Sequence, residues 1–192
     1  MASNVSFRIH QVKCIDETGG WLAEKAGNDE IWLSGFGISP SGETRKVEPF
    51  EVYANFDDND VKKYNPPRNF ISLPLPDSGV WPKSIGIGLL LAEKDWGDFG
   101  GKVDVILEKV KGAVGSVPAG GGWQAALVMV APFVLNQVIG VARDDIFPLQ
   151  SVTLDVPNPQ FLWGGQPTSP RATVDFRGHD GIYRLEYDWS LS

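Results

Sequence analysis

Val5, Phe7 and Ile9 alternate with Ser6, Arg8 and His10 near the start of the chain, the period of two that a half-buried strand requires. The pattern predicts a first strand over residues 5–14. A turn-rich stretch follows. A second strand is expected over residues 29–38, stopped by Ser39-Pro40-Ser41-Gly42. A third is expected over residues 47–56. Pro49 inside it has no N–H to give to a ladder, so this strand belongs at a sheet edge. Residues 57–69 are polar, contain Pro66-Pro67 and read as a loop, followed by a short fourth strand over residues 70–75. Residues 84–92 carry Ile85, Ile87, Leu89 and Leu91 in strict alternation, with Gly86, Gly88, Leu90 and Ala92 between them. A strand apolar on both faces is expected at the centre of a sheet.

The period then changes. Val103, Ile106, Leu107 and Val110 stand at i, i+3, i+4 and i+7, which predicts a helix. After a Gly-rich linker, residues 123–142 are almost wholly apolar and read as a buried helix kinked at Pro132. Alternation returns over residues 151–156 and 171–176. In the last strand, residues 182–191, Tyr183, Leu185, Tyr187, Trp189 and Leu191 share one face. Arg184, Glu186 and Asp188 share the other and are expected to be exposed. The expected fold is therefore mostly β: an antiparallel two-sheet sandwich of about eight strands. The sandwich is expected to be one domain over residues 1–192, with a helical insertion at about residues 101–142 between strands five and six.

Composition adds to this picture. Twenty-two Gly and 14 Pro in 192 residues mean frequent turns, which suits many short strands. A formal charge of −7 disfavours nucleic acid, and disfavours an anionic membrane unless a cation bridges the two surfaces. Cys14 is the one cysteine, so no intrachain disulfide can form, and its apolar setting reads as a small buried hydrophobe. The first residues lack the basic-then-apolar layout of a signal peptide, so a cytoplasmic location is expected by default, with non-classical release as the alternative.

In an antiparallel sandwich successive loops fall at opposite ends. Loops after the first, third, fifth and seventh expected strands then share one end, here the upper one. That end receives Asp16, Glu17, Glu24, Asp29, Glu30, Asp57, Asp58, Asp60, Glu93, Asp95, Asp98, Asp144, Asp145 and Asp180. The lower loops hold Glu43 and Asp77 beside Arg45, Lys46, Lys83 and Arg171. Crowded carboxylates repel one another, and either titrate abnormally or recruit a cation. Hard oxygens from several loops suit Ca²⁺, with its tolerant geometry, better than Mg²⁺. Cys14, His10 and His179 lack the spacing of a zinc site. The expected cofactor is Ca²⁺, with Asp16, Asp29, Glu30, Glu93, Asp95, Asp98, Asp144 and Asp145 as candidate ligands. The plainer alternative is a solvated acidic face on which Asp serves as turn and cap residue.

Two stretches resemble the calcium loops of C2 domains. Cys14-Ile15-Asp16-Glu17-Thr18 through Asn28-Asp29-Glu30-Ile31-Trp32-Leu33 is similar to the first loop, and residues 87–98, ending Glu93-Lys94-Asp95-Trp96-Gly97-Asp98, are similar to the third. The resemblance covers about the first hundred residues. It departs from the family in Glu30, where the family has Pro, and in the helical signal that follows Asp98. It implies an eight-stranded sandwich that binds Ca²⁺ and phospholipid, with Asp16, Asp29, Asp95 and Asp98 matching the metal ligands.

No nucleophile elbow, His-Glu-x-x-His or phosphate loop occurs, and no general acid stands apart from a base, so no enzyme is expected. Trp96, Phe161 and Trp163 lie in loops and are candidate partner-binding residues. The expected function is a non-enzymatic calcium-binding module that engages a membrane surface or a protein partner through its acidic loops. Two alternatives remain: a toxin-type protein that inserts residues 123–142 into a membrane, and a glycan-binding protein using Trp and carboxylates.

Overall fold

The computed structural model describes residues 2–18, 29–93, 98–116 and 145–192. The sheets are built from β1 (Asn4–Asp16), β2 (Asp29–Ile38), β3 (Thr44–Phe56), β4 (Val61–Pro74) and β5 (Lys83–Glu93). Helix α1 (Phe99–Ser116) follows, then β6 (Asp145–Ile146), β7 (Gln150–Val156), β8 (Ala172–Gly178) and β9 (Gly181–Leu191). The first sheet has the order β4-β1-β9-β8. The second has β3-β2-β5, with β7 on the far side of β5 and the two-residue β6 on that same side, further along. All pairings are antiparallel. Eight long strands thus form two packed four-stranded sheets, the expected sandwich, with β6 as a short addition.

The β1 pattern shows how sequence sets register. Val5, Phe7 and Ile9 point into the core, but so do Val12 and Cys14, which strict alternation would turn outward. A bulge between Ile9 and Gln11 adds a residue against β9 and restores the inward parity. The prolines of β4 act differently. Residues 57–69 were expected to be a loop, yet the strand begins at Val61. Pro cannot donate to a ladder, but β4 lies at a sheet edge and its register skips from Lys63 to Arg68, leaving Pro66 and Pro67 unpaired. Pro49 likewise sits in β3, the edge of the second sheet.

Between the sheets lie the fully buried Phe7, Phe56, Phe147, Phe176 and Tyr183, with Ile85, Ile87, Leu89 and Leu91 of β5. The other face of β5 is also buried. Leu90 and Ala92, with Phe36 and Ile38 of β2, pack against Phe99, Val103, Ile106, Leu107 and Val110 of α1. The second sheet is therefore covered on both faces, which is why β5 is apolar throughout. Gly88 makes this packing possible: a Cβ there would lie 2.2 Å from the Phe36 ring. In β9, Tyr183, Leu185, Trp189 and Leu191 are buried as expected. Asp188 is buried too, at 3% exposure, against the expectation that it faces water. Its charge is matched by Arg8, whose Nε and Nη2 donate to the two carboxylate oxygens at 2.8 and 2.7 Å.

Candidate functional site

The upper end is assembled where β1 finishes, β2 begins, β5 finishes and β9 begins. Asp29, the first residue of β2, is 3% exposed. Its Oδ2 accepts from the Thr18 backbone N–H at 2.7 Å, from Thr18 Oγ1 at 2.8 Å and from the Tyr183 hydroxyl. Thr18 Oγ1 also contacts Glu93 Oε2 at the end of β5. Burial, and then the neighbouring Asp29 carboxylate, push the Tyr183 hydroxyl far above its ordinary pKa, so it remains a donor. Cys14 beside it is pushed up to about 12, first by burial. One side chain from β9 thus ties the first sheet to the second through a carboxylate that, among the described residues, is held by neutral donors.

The β3–β4 turn joins the same end. Asp58 Oδ1 accepts from the Glu17 backbone N–H at 3.0 Å, and the Asp60 carbonyl accepts from the Cys14 N–H at 2.9 Å. Within the turn, Asp57 Oδ1 accepts from the Asp58 N–H at 2.7 Å. On the β8–β9 turn, His179 and Asp180 have left-handed backbones, and His179 Nε2 lies 3.0 Å from the Ile146 carbonyl. The alternation of loops between the two ends is therefore as the sequence implied. Asp16, Asp57, Asp58, Asp98 and Asp180 all stand exposed on the upper loops.

The candidate ligands divide. Asp29 and Glu93 meet at Thr18. Glu30, next to Asp29 but on the opposite strand face, accepts from Trp32 Nε1 at 2.7 Å. Asp98 caps α1, its Oδ1 accepting from the Gly101 N–H at 2.9 Å. Asp16 is exposed at the end of β1. Asp145 pairs with Glu93 through the backbone. The Asp145 side chain, Asp95, Trp96, Asp144 and the apolar segment 123–142 lie outside the described residues. Among the described residues, no three His, Cys, Asp or Glu side chains are grouped closely enough to share a metal ion. No helix among them is long and apolar enough to cross a membrane.

Sequence reasoning missed Thr18 and Tyr183. Thr18 lies in a turn-rich stretch in which only the acids stand out by sequence, and Tyr183 reads as core, although a buried tyrosine hydroxyl usually finds a partner. It also missed the cluster around Asp188. His10 Nε2 lies 2.8 Å from Asp188 Oδ2, opposite Arg8. Burial raises the Asp188 carboxyl, but Arg8 and His10 outweigh it and hold the group below its ordinary value.

At the lower end, Trp163-Gly164-Gly165-Gln166 forms a tight hairpin turn. Trp163 and Gln166 exchange backbone hydrogen bonds at 2.9 and 3.0 Å, and Gly164 and Gly165 have φ of 56° and 84°. Two successive positive φ values define a type I′ turn, which suits Gly-Gly. Phe161 packs edge-on to Trp163 at 5.1 Å, and both rest against the core half-buried. A cavity of about 380 Å³ opens beside them, lined by Ala2, Phe161, Leu162, Pro167 and Leu191 among others.

No protein-family model matches the chain, and no curated protein matches it. Among solved structures it is similar to human GIVD cytosolic phospholipase A2 in complex with methyl gamma-linolenyl fluorophosphonate inhibitor and terbium chloride, with 8% identity and a TM-score of 0.38. The same enzyme in complex with methyl gamma-linolenyl fluorophosphonate gives the same values. Both alignments cover 100% of this chain and only 17% of the enzyme. A likeness at this level assigns neither fold nor function.

Proposed function

We propose that this protein is a non-enzymatic, C2-like β-sandwich module whose upper end recruits Ca²⁺ and uses it to engage a membrane surface or a protein partner. The observation that carries the reading is the convergence of the loops after β1, β3, β5 and β8, four separate segments that bring exposed carboxylates to one end of the sandwich. A divalent cation that takes six to eight oxygen ligands in tolerant geometry suits carboxylates supplied by several loops. Asp29 and Asp98 already serve the fold. Asp57, Asp58 and Glu93 each accept a hydrogen bond through one oxygen, and with the exposed Asp16 they are the described carboxylates assigned to the cation. Bound Ca²⁺ would reverse the local charge, as a chain of net −7 needs before it can approach an anionic surface.

Thermal unfolding tests this. A cation that binds only the native state at a hundredfold excess over its Kd stabilises it by about 2.7 kcal/mol. For a chain of this size that is about 5–10 °C in Tm. The expected result is a rise of that order from EDTA to millimolar Ca²⁺, removed by Asp16→Asn with Asp58→Asn. No Ca²⁺-dependent rise in the unmodified protein would refute the reading.

A further inference from the structure

The outer face of the first sheet is the reverse of the upper end. Helix α1 covers the second sheet, but among the described residues no element packs across the outside of β4-β1-β9-β8. Cross-strand pairing puts Arg8, Lys13, Lys63, Arg177 and Arg184 on this face, where Arg171 joins them through its contact with Glu186, against the carboxylates of Asp16, Asp175, Glu186 and Asp188. A protein of net charge −7 thus carries a cationic excess on one sheet face. Depth strengthens the asymmetry. The side chains of Arg171 and Arg177 are each 61% exposed and Arg184 is 46% exposed, whereas Asp175 and Glu186 are 21% and Asp188 4%. Apart from Asp16, exposed where the face meets the upper end, the carboxylates are recessed beneath the guanidinium groups, so a ligand approaching Arg171, Arg177 and Arg184 meets positive charge first. Asp175 is shared by two of them: Arg184 donates to it at 2.7 and 2.9 Å, and Arg177 at 2.9 Å.

We propose that this face binds a linear acidic polysaccharide, its carboxylate or sulfate groups held by Arg171, Arg177 and Arg184. Arg171 and Arg177 are six residues apart along the β8 edge, about 20 Å at strand spacing, with Arg184 between them on β9. That is a line of cations, which a repeating polyanion matches and a single small anion does not. Guanidinium groups favour bidentate contacts with such oxyanions. Between the charges the face presents hydroxyls and amides, with Ser6 Oγ and Ser72 Oγ 2.8 Å apart and Asn69 beside them, suited to sugar hydroxyls. Its outward positions hold no Phe, Tyr or Trp. Bases would therefore find nothing to stack on, and a bilayer interface nothing to anchor.

The test uses the full chain in EDTA, so its outcome is independent of the calcium reading. Heparin and polygalacturonate serve as probes for sulfate and carboxylate. Arg171→Gln with Arg177→Gln is the informative variant, because Glu186 keeps Gln11 and Asp175 keeps Arg184 as partners. The expected result is saturable binding of at least one probe that weakens as salt rises, at least tenfold weaker in the double variant with an unchanged melting curve. Lys46→Gln, on a side chain that pairs with α1 through Asp104, should bind as the unmodified protein does. Failure to bind either probe, equal loss in Lys46→Gln, undiminished binding by the double variant, or equally tight binding to phosphatidylserine vesicles or duplex DNA would each overturn the proposal.

Discussion

Asp29 and Asp188 are both 3% exposed, yet they are held by opposite means. Asp29 lies between the sheets and takes three hydrogen bonds from neutral donors on Thr18 and Tyr183. Asp188 lies on the outer face of the first sheet and takes a two-pronged contact from Arg8, with His10 alongside. A buried carboxylate satisfied by neutral groups fixes geometry, because each donor is useful only where it stands. A buried carboxylate satisfied by a cation also carries a charge balance, and that balance is exposed to pH. The upper end is built on the first kind of site and the outer sheet face on the second.

The largest effect is expected at Asp29. Asp29→Ala strands the Tyr183 hydroxyl and the Thr18 N–H in the core, while Thr18 Oγ1 keeps Glu93, and about 1–3 kcal/mol for each unsatisfied group gives a loss of about 2–6 kcal/mol in chemical denaturation. Tyr183→Phe, which removes one donor and leaves two, should cost about 1–2 kcal/mol. Were the two variants equally stable, Asp29 would not be the centre of the network.

Arg8→Met comes next, at about 1–3 kcal/mol near neutral pH. It leaves Asp188 with His10 alone, and a part-exposed arginine costs less to lose than a fully buried one. Its signature is in the pH dependence. Asp188 and Asp175 are both held below the ordinary carboxylate range, Asp175 chiefly by Arg184. A depressed carboxylate stabilises the fold above its unfolded pKa, about 3.9, and that stability is lost as pH falls through the folded value. The unmodified protein should therefore lose stability on acidification below about pH 5, and Arg8→Met should lose less over the same range. A parallel pair of curves would contradict the assignment.

Thiol reactivity gives a sharper and smaller test. With its pKa pushed up to about 12 by burial, Cys14 has almost no thiolate at neutral pH. A thiol reagent should modify it only at the rate of unfolding, and Asp29→Ala should speed that modification. The smallest effect belongs to Glu186→Ala, which removes a contact to the exposed Arg171 and should change stability by less than about 0.5 kcal/mol.

Much of the fold was legible in the sequence because burial follows periodicity. The alternation in β5 and β9 placed both in the core, and the i, i+3, i+4, i+7 spacing located α1. The parity of the loops followed from counting strands. What escaped depended on partners distant in sequence. Pro66 and Pro67 read as a loop because nothing local says that β4 is an edge with a skipped register. Asp188 read as exposed because alternation shows the face a residue is on but not what covers it, and Arg8 is 180 residues away. The same holds for Tyr183 and Asp29, 154 residues apart. At the candidate site the acids were visible one by one, but which of them bind backbone, cap a helix or remain free is decided by those long-range contacts.

Whether the upper end takes up Ca²⁺ is read by a Ca²⁺ titration followed by backbone amide chemical shifts. Saturable shifts are expected at the upper end, at Glu17, Thr18, Asp58 and Asp98, with Ser6, Ser72 and Ser190 on the outer sheet face unmoved. The absence of saturable shifts at the upper end, or shifts centred on the outer sheet face, would contradict Ca²⁺ uptake there.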